Sequence, residues 1–125
     1  KMRLKKFDVI LKSFLKLNPK RIFIFLINRK EDEYLVFENN NTFSFVGGLW
    51  RKNESLIESL RKIACLNHFL FVKKIDDVEK VKFLNGDLYL FLRGDIDEKN
   101  LDKKLIYKNI NKEENVSEEI KIFLN

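Results

Sequence analysis

The chain has 125 residues, of which 45% are hydrophobic and 35% charged, so one folded globular domain is expected and wholesale disorder is not. The single Cys65 excludes an intramolecular disulfide, and the longest apolar run, Ile22 to Ile27, falls far short of the roughly 20 residues a membrane span needs. The net charge of +6 is unevenly placed: ten Lys or Arg and one acid, Asp8, fall in residues 1–30, giving that segment +9 and the remainder −3, a balance that draws polyanions and equally describes a solvated face.

Residues 4–17, LKKFDVILKSFLKL, follow a helical period. Leu4, Phe7, Ile10, Leu11, Phe14 and Leu17 share one side, and Lys1, Lys5, Lys12 and Lys16 the other, which predicts a basic amphipathic helix. Pro19 disfavours helical geometry at Asn18 and ends it. RIFIFLINR (21–29) reads as a buried strand, EDE as a turn and YLVFE (34–38) as its hairpin partner. NNN (39–41) is a second turn, and TFSFV (42–46) alternates as a strand before the Gly47-Gly48 loop. A helix is expected from about Ser55 to Asn67, then a strand over 69–75. VEKVKFL and DLYLFLRGDI flank Asn85-Gly86, whose tolerance of positive φ suits a two-residue hairpin turn. The tail reads as a last helix capped by Ser117, with Glu118 and Glu119 in its first turn. The alternation of helices and strands gives an α+β class with a mixed or antiparallel sheet.

The stretch SFVGGLWRKNESLIESLRKIACLNHFL (44–70) carries the one informative motif. Gly48 is followed after five residues by Glu54, and after seven more by Lys62-Ile63-Ala64-Cys65-Leu66-Asn67-His68-Phe69-Leu70. This resembles the signature of the Nudix hydrolases, Gly-x5-Glu-x7-Arg-Glu-apolar-x-Glu-Glu-x-Gly-apolar, and the resemblance of element order extends over nearly the whole chain. It implies a single Nudix-like domain over 1–125, with residues 1–20 as a basic helical extension. In the family, carboxylates at i, i+3 and i+4 of the signature helix share one face and hold Mg²⁺ against a diphosphate. Here those positions carry Ile63, Leu66 and Asn67, the glycine is Phe69, and Lys62 stands for the arginine without its planar fork. Carried over residue by residue, the resemblance therefore implies no catalytic residue, no metal ligand and no cofactor.

Other residues admit two readings each. Glu54 and Glu58 either share a relocated ion, or serve as a first-turn acid and an i+4 partner of Lys62. Trp50 either stacks on a base or anchors its loop. Cys65 and His68 lie three residues apart with no third group to orient them, and Cys65 reads as a small buried hydrophobe. Asp76-Asp77 and Asp95 with Asp97 read as turn acids.

Three functions remain open. The first is a non-catalytic Nudix-fold protein bound to RNA or a ribonucleoprotein, as in family members of messenger RNA 3′-end processing and of the mitochondrial ribosomal large subunit. Lys5, Lys12, Lys16, Lys20 and Arg21 would contact phosphates without reading sequence or selecting DNA. The second is a hydrolase of nucleoside diphosphate derivatives or RNA caps with relocated metal ligands. The third is a metal-free nucleotide-sensing or protein-interaction domain using Gly47, Gly48, Trp50, Arg51 and Glu54 as its pocket. An intracellular setting, cytoplasmic or mitochondrial, is expected from the lone cysteine and the absence of a visible cleavable leader.

Overall fold

The computed structural model describes the chain from Met2 to Asn125, with side chains from Lys6 onward. Helix α1 (Met2–Leu15) turns Phe7 and Leu11 into the core, with Ile10 and Phe14 packed beside them. Asn18 then adopts a left-handed conformation at φ 52°, and Pro19 prevents the helix from continuing. Because the helix stops at Leu15, Leu17 leaves the expected apolar stripe and is exposed.

Strand β1 (Arg21–Ile27) is followed by β2 (Arg29–Lys30), β3 (Glu33–Asn39), β4 (Thr42–Ser44) and β5 (Gly47–Leu49). Helix α2 (Leu56–His68) leads to β6 (Val72–Leu84), β7 (Asp87–Ile96), β8 (Leu105–Lys108) and helix α3 (Glu118–Leu124). One sheet has the order β5-β1-β7-β6. Within it β1 and β7 run parallel, Arg21 opposite Asp87 through Ile27 opposite Arg93, and the other pairs are antiparallel. In the second sheet β3 pairs with β2, β4 and β8.

The first sheet is covered on both faces, which is why β1 is apolar at nearly every position. Ile22, Ile24 and Leu26 pack with Leu88, Leu90 and Leu92 against α1 and α2. Phe25 and Ile27 join Phe91, Tyr34, Phe45 and Phe123 in a second, aromatic cluster on the opposite side. The same double burial overturns the expected hairpin between residues 21–29 and 34–38. A strand buried on both sides belongs inside a sheet, so β1 takes β5 and β7 as neighbours and only Arg29–Lys30 pairs with β3. Asn28 makes the crossing between sheets: its side-chain amide donates to the Gly94 carbonyl (2.7 Å) and accepts from the Tyr107 hydroxyl (2.5 Å).

Three further expectations change. The runs 69–75 and 78–84 form one strand, β6, with register shifts that absorb its irregular pattern. Asp76 and Asp77 therefore lie within a strand and Asp95 within β7, while Asp97 alone behaves as a turn acid, accepting from the Lys99 amide at 3.0 Å. The Gly47-Gly48 pair is itself strand β5 rather than a loop. The Asn85-Gly86 turn stands as expected, with φ of 53° and 86°. Ser117 does begin α3, but its hydroxyl donates to Glu119 instead of capping a helix amide. Among the described residues no helix is long and apolar enough to cross a membrane.

Candidate functional site

Helix α2 is held at its start by reciprocal bonds. The Glu58 amide donates to Ser55 Oγ and the Ser55 amide to Glu58 Oε1, both at 3.1 Å. Glu54 lies just outside this box. Its Oε1 accepts from Ser59 Oγ at 2.7 Å and its Oε2 takes Lys62, so Lys62 closes onto Glu54 and not onto Glu58 as its i+4 spacing suggests. The Lys62 contact first, and the Ser59 bond second, hold the Glu54 carboxyl below its ordinary range. Glu58 thus serves the helix start, whereas Glu54 precedes the Ser55 cap and takes the side chains of Ser59 and Lys62 instead of acting as a first-turn acid.

The positions where the signature helix would display acid differ from one another. Ile63 packs on the core and lies beside Gly48, whose absent Cβ would sit 3.8 Å from its side chain. Leu66 is 71% exposed and Phe69 78% exposed. Two aliphatic side chains and the amide of Asn67 do not fit a hard divalent cation, which needs several anionic oxygens. Among the described residues no group of three or more His, Cys, Asp or Glu is placed to hold a metal ion. Phe69 occupies the glycine position of the signature and adopts φ 51°, where the amides of Phe69 and Leu70 bond back to Cys65 and Ala64. A left-handed cap explains why glycine suits that place.

Cys65 is exposed, contrary to its reading as a buried hydrophobe. His68 is buried with its ring 4.5 Å from that of Phe37, and its Nδ1 lacks a partner. Burial pushes its pKa below the ordinary value, against a weaker opposing pull from Asp102.

A groove of about 960 Å³ opens between the last turns of α1, the start of β1 and the approach to α2. It gathers Lys12, Lys20 and Arg21 from one group of predicted residues with Trp50 and Glu54 from the other. Gly47, Gly48, Arg51 and Lys16 stand outside its lining, and the side chain of Lys5 lies outside the described residues. Arg21 is engaged within the fold, its Nε and Nη2 donating to the two Asp87 oxygens at 3.1 and 2.7 Å. Trp50 is anchored, its indole N–H donating to the Glu54 carbonyl at 2.9 Å while its ring packs on the core.

Leu11, Leu15, Ile22 and Leu49 supply the apolar lining, with Lys52 and Asn53 among the polar residues. Leu15 and Lys52 were not anticipated as site residues. The available signal was Leu15 itself, a leucine off the buried stripe of its helix.

No protein-family model and no curated protein matches the sequence. Solved structures do match in shape. A NUDIX hydrolase from Nitrosomonas europaea aligns with 71% of this chain at TM-score 0.57 and 14% identity. The chain spans 55% of that protein's length. A MutT NUDIX hydrolase from Burkholderia pseudomallei aligns with 83% of this chain, and 95% of its own, at TM-score 0.61 and 10% identity. A Sinorhizobium meliloti chain named as an oxidoreductase aligns over 90% of this chain and 39% of its own, at TM-score 0.67 and 9% identity. The α+β architecture is the Nudix fold. At such identities the likeness concerns the fold alone, which hosts differently named proteins and does not set the chemistry.

Proposed function

We propose that this Nudix-fold domain is a non-hydrolytic RNA-binding protein, a component or companion of a ribonucleoprotein, which holds phosphates through the open face of α1. The observation that carries the reading is the clustering of three exposed lysines, Lys12, Lys20 and Lys52, along one groove. Arg21, Lys62 and Lys6 are paired with Asp87, Glu54 and Asp77. Lys12, Lys16, Lys20 and Lys52 are exposed and make no ion pair among the described residues. Lysines gathered along one groove, as Lys12, Lys20 and Lys52 are, attract a polyanion without reading its bases. The aliphatic and amide side chains at positions 63, 66 and 67 support the absence of hydrolysis, since the family reaction relies on an ion held there.

The test is anisotropy of a labelled 12-nucleotide single strand in EDTA across a salt series. Affinity should fall as salt rises, and the Lys12→Glu/Lys16→Glu double variant should lower it tenfold or more at low salt. Losing two phosphate contacts on a single strand should reduce the salt slope by about 1.4. Binding that ignores both salt and charge reversal contradicts the reading.

One observation favours the relocated-ligand hydrolase: Glu54 and Glu58 line the same groove. That reading requires Mg²⁺- or Mn²⁺-dependent turnover abolished by Glu54→Gln or Glu58→Gln. Purified protein inert on a panel of nucleoside diphosphate derivatives and capped RNA removes it.

A further inference from the structure

We propose that the groove between α1 and the start of α2 receives one unstacked nucleotide of a single-stranded RNA. Its base would lie against Leu15, Leu49 and Trp50 and its phosphates against Lys20 and Lys52, with no divalent ion. The inference rests on the RNA-binding reading above and names the part of the RNA that this groove accepts.

Leu15 and Leu49 remain 43% and 51% exposed although they line the same concavity as the Trp50 ring. Neither leucine contributes fully to a core, and together they offer a flat ligand an apolar surface that water covers poorly. The groove's 960 Å³ lies at the upper end of what small-ligand sites enclose. That leaves room for a nucleotide together with the backbone that enters and leaves it.

The charge around this surface is selective once the internal pairs are set aside. Arg21 is neutralised by Asp87 and Glu54 by Lys62, and neither of those partners lines the groove. What remains is Lys12, Lys20 and Lys52 against Asp8 and Glu58, and Glu58 already accepts the Ser55 amide. An apolar floor with an excess of cations suits an anion that carries a flat apolar body. A duplex meets only half of that description, because its bases are stacked inside and cannot reach the floor; a single strand can turn one out.

The groove takes in Glu54, the first acid of the signature, but lies apart from the positions where the signature helix would hold its ion. None of Ile63, Leu66 and Asn67 lines it, and one wall is α1.

Trp50 is the only tryptophan, so its fluorescence reports on this groove alone. In EDTA, the protein would be titrated with a 12-nucleotide single strand, with a duplex of equal length and with AMP. The single strand should change Trp50 emission saturably, the duplex should bind without that change, and AMP should act only at concentrations at least a hundredfold higher. Leu15→Ser and Leu49→Ser, checked for folding by circular dichroism, should each weaken single-strand binding tenfold or more while preserving its salt slope. Single-strand binding that leaves Trp50 emission unchanged and is indifferent to both serine variants overturns the groove proposal and spares the α1 reading. AMP binding as tightly as RNA overturns it too, by making a free nucleotide the ligand. Failure to bind any RNA at low salt overturns both.

Discussion

Two single residues show how local chemistry decides what the fold tolerates. Gly47 sits at φ 157°, and a Cβ there would lie 2.1 Å from the Ile24 carbonyl oxygen and 2.7 Å from Phe25 Cα. Those contacts are backbone and cannot swing aside, so Gly47→Ala should cost about 3 kcal/mol. At Gly48 the nearest atoms would be 3.8 Å away, and alanine should stay within about 1 kcal/mol of the parent. Urea midpoints of the two variants check the contrast; equal effects would show that β5 does not lie against β1 as described. His68 offers a pH signature because the chain has no other histidine. Its folded pKa is depressed by burial, so as pH falls the unfolded chain takes up the proton first. Its contribution to stability is full above about 6.5 and declines as pH falls below that value. The Asp87, Asp77 and Glu54 carboxyls are also depressed, chiefly by Arg21, Lys6 and Lys62. Their contributions hold above about 4 and are lost below it, so their loss begins at a lower pH than that of His68. The His68 ring protons followed by NMR should titrate below 6.5, and a midpoint at or above 6.5 would contradict its burial.

At the scale of the element, α2 ends on an unusual cap. Phe69 holds a left-handed conformation that costs a non-glycine residue about 1–2 kcal/mol, and its ring gains little burial in return. Phe69→Gly should therefore stabilise the fold by about 0.5–1 kcal/mol after the flexibility of glycine in the unfolded chain is counted. The measurement is a rise in urea midpoint at unchanged m; a fall would mean that the ring contributes packing. The element scale also shows what was legible in the sequence. Helices α1, α2 and α3 announced themselves through period, capping residues and Pro19, because those signals are local. The β1–β3 hairpin was misread because local pattern says that a strand is buried, not which strands bury it. Strand β8 escaped notice because four residues inside the charged run 97–114 carry too short a pattern. The partners of Glu54 were half legible: its place at the helix start followed from the sequence, whereas the closure of Lys62 onto it depended on the path of the loop.

Across the whole molecule, the basic first segment packs as part of the domain. Phe7 and Leu11 tie α1 to the main core, and Lys6 reaches Asp77 at 3.1 Å. That docking forms the groove, which is why Lys12, Lys20 and Arg21 from one set of sequence candidates meet Trp50 and Glu54 from the other at one surface. The layout of the Nudix fold was legible from the glycine start of its signature and from element order. The groove was not, since it arises where an N-terminal helix meets the approach to α2 some forty residues later. The central proposal is that α2 offers a divalent cation no seat and that the protein acts by binding. The most direct measurement is NMR of the labelled protein titrated with Mn²⁺, read at the amides of residues 63–67, with phosphate release from a nucleotide panel followed in parallel. The account predicts no selective broadening there and no release; broadening centred on those residues together with metal-dependent release would contradict it.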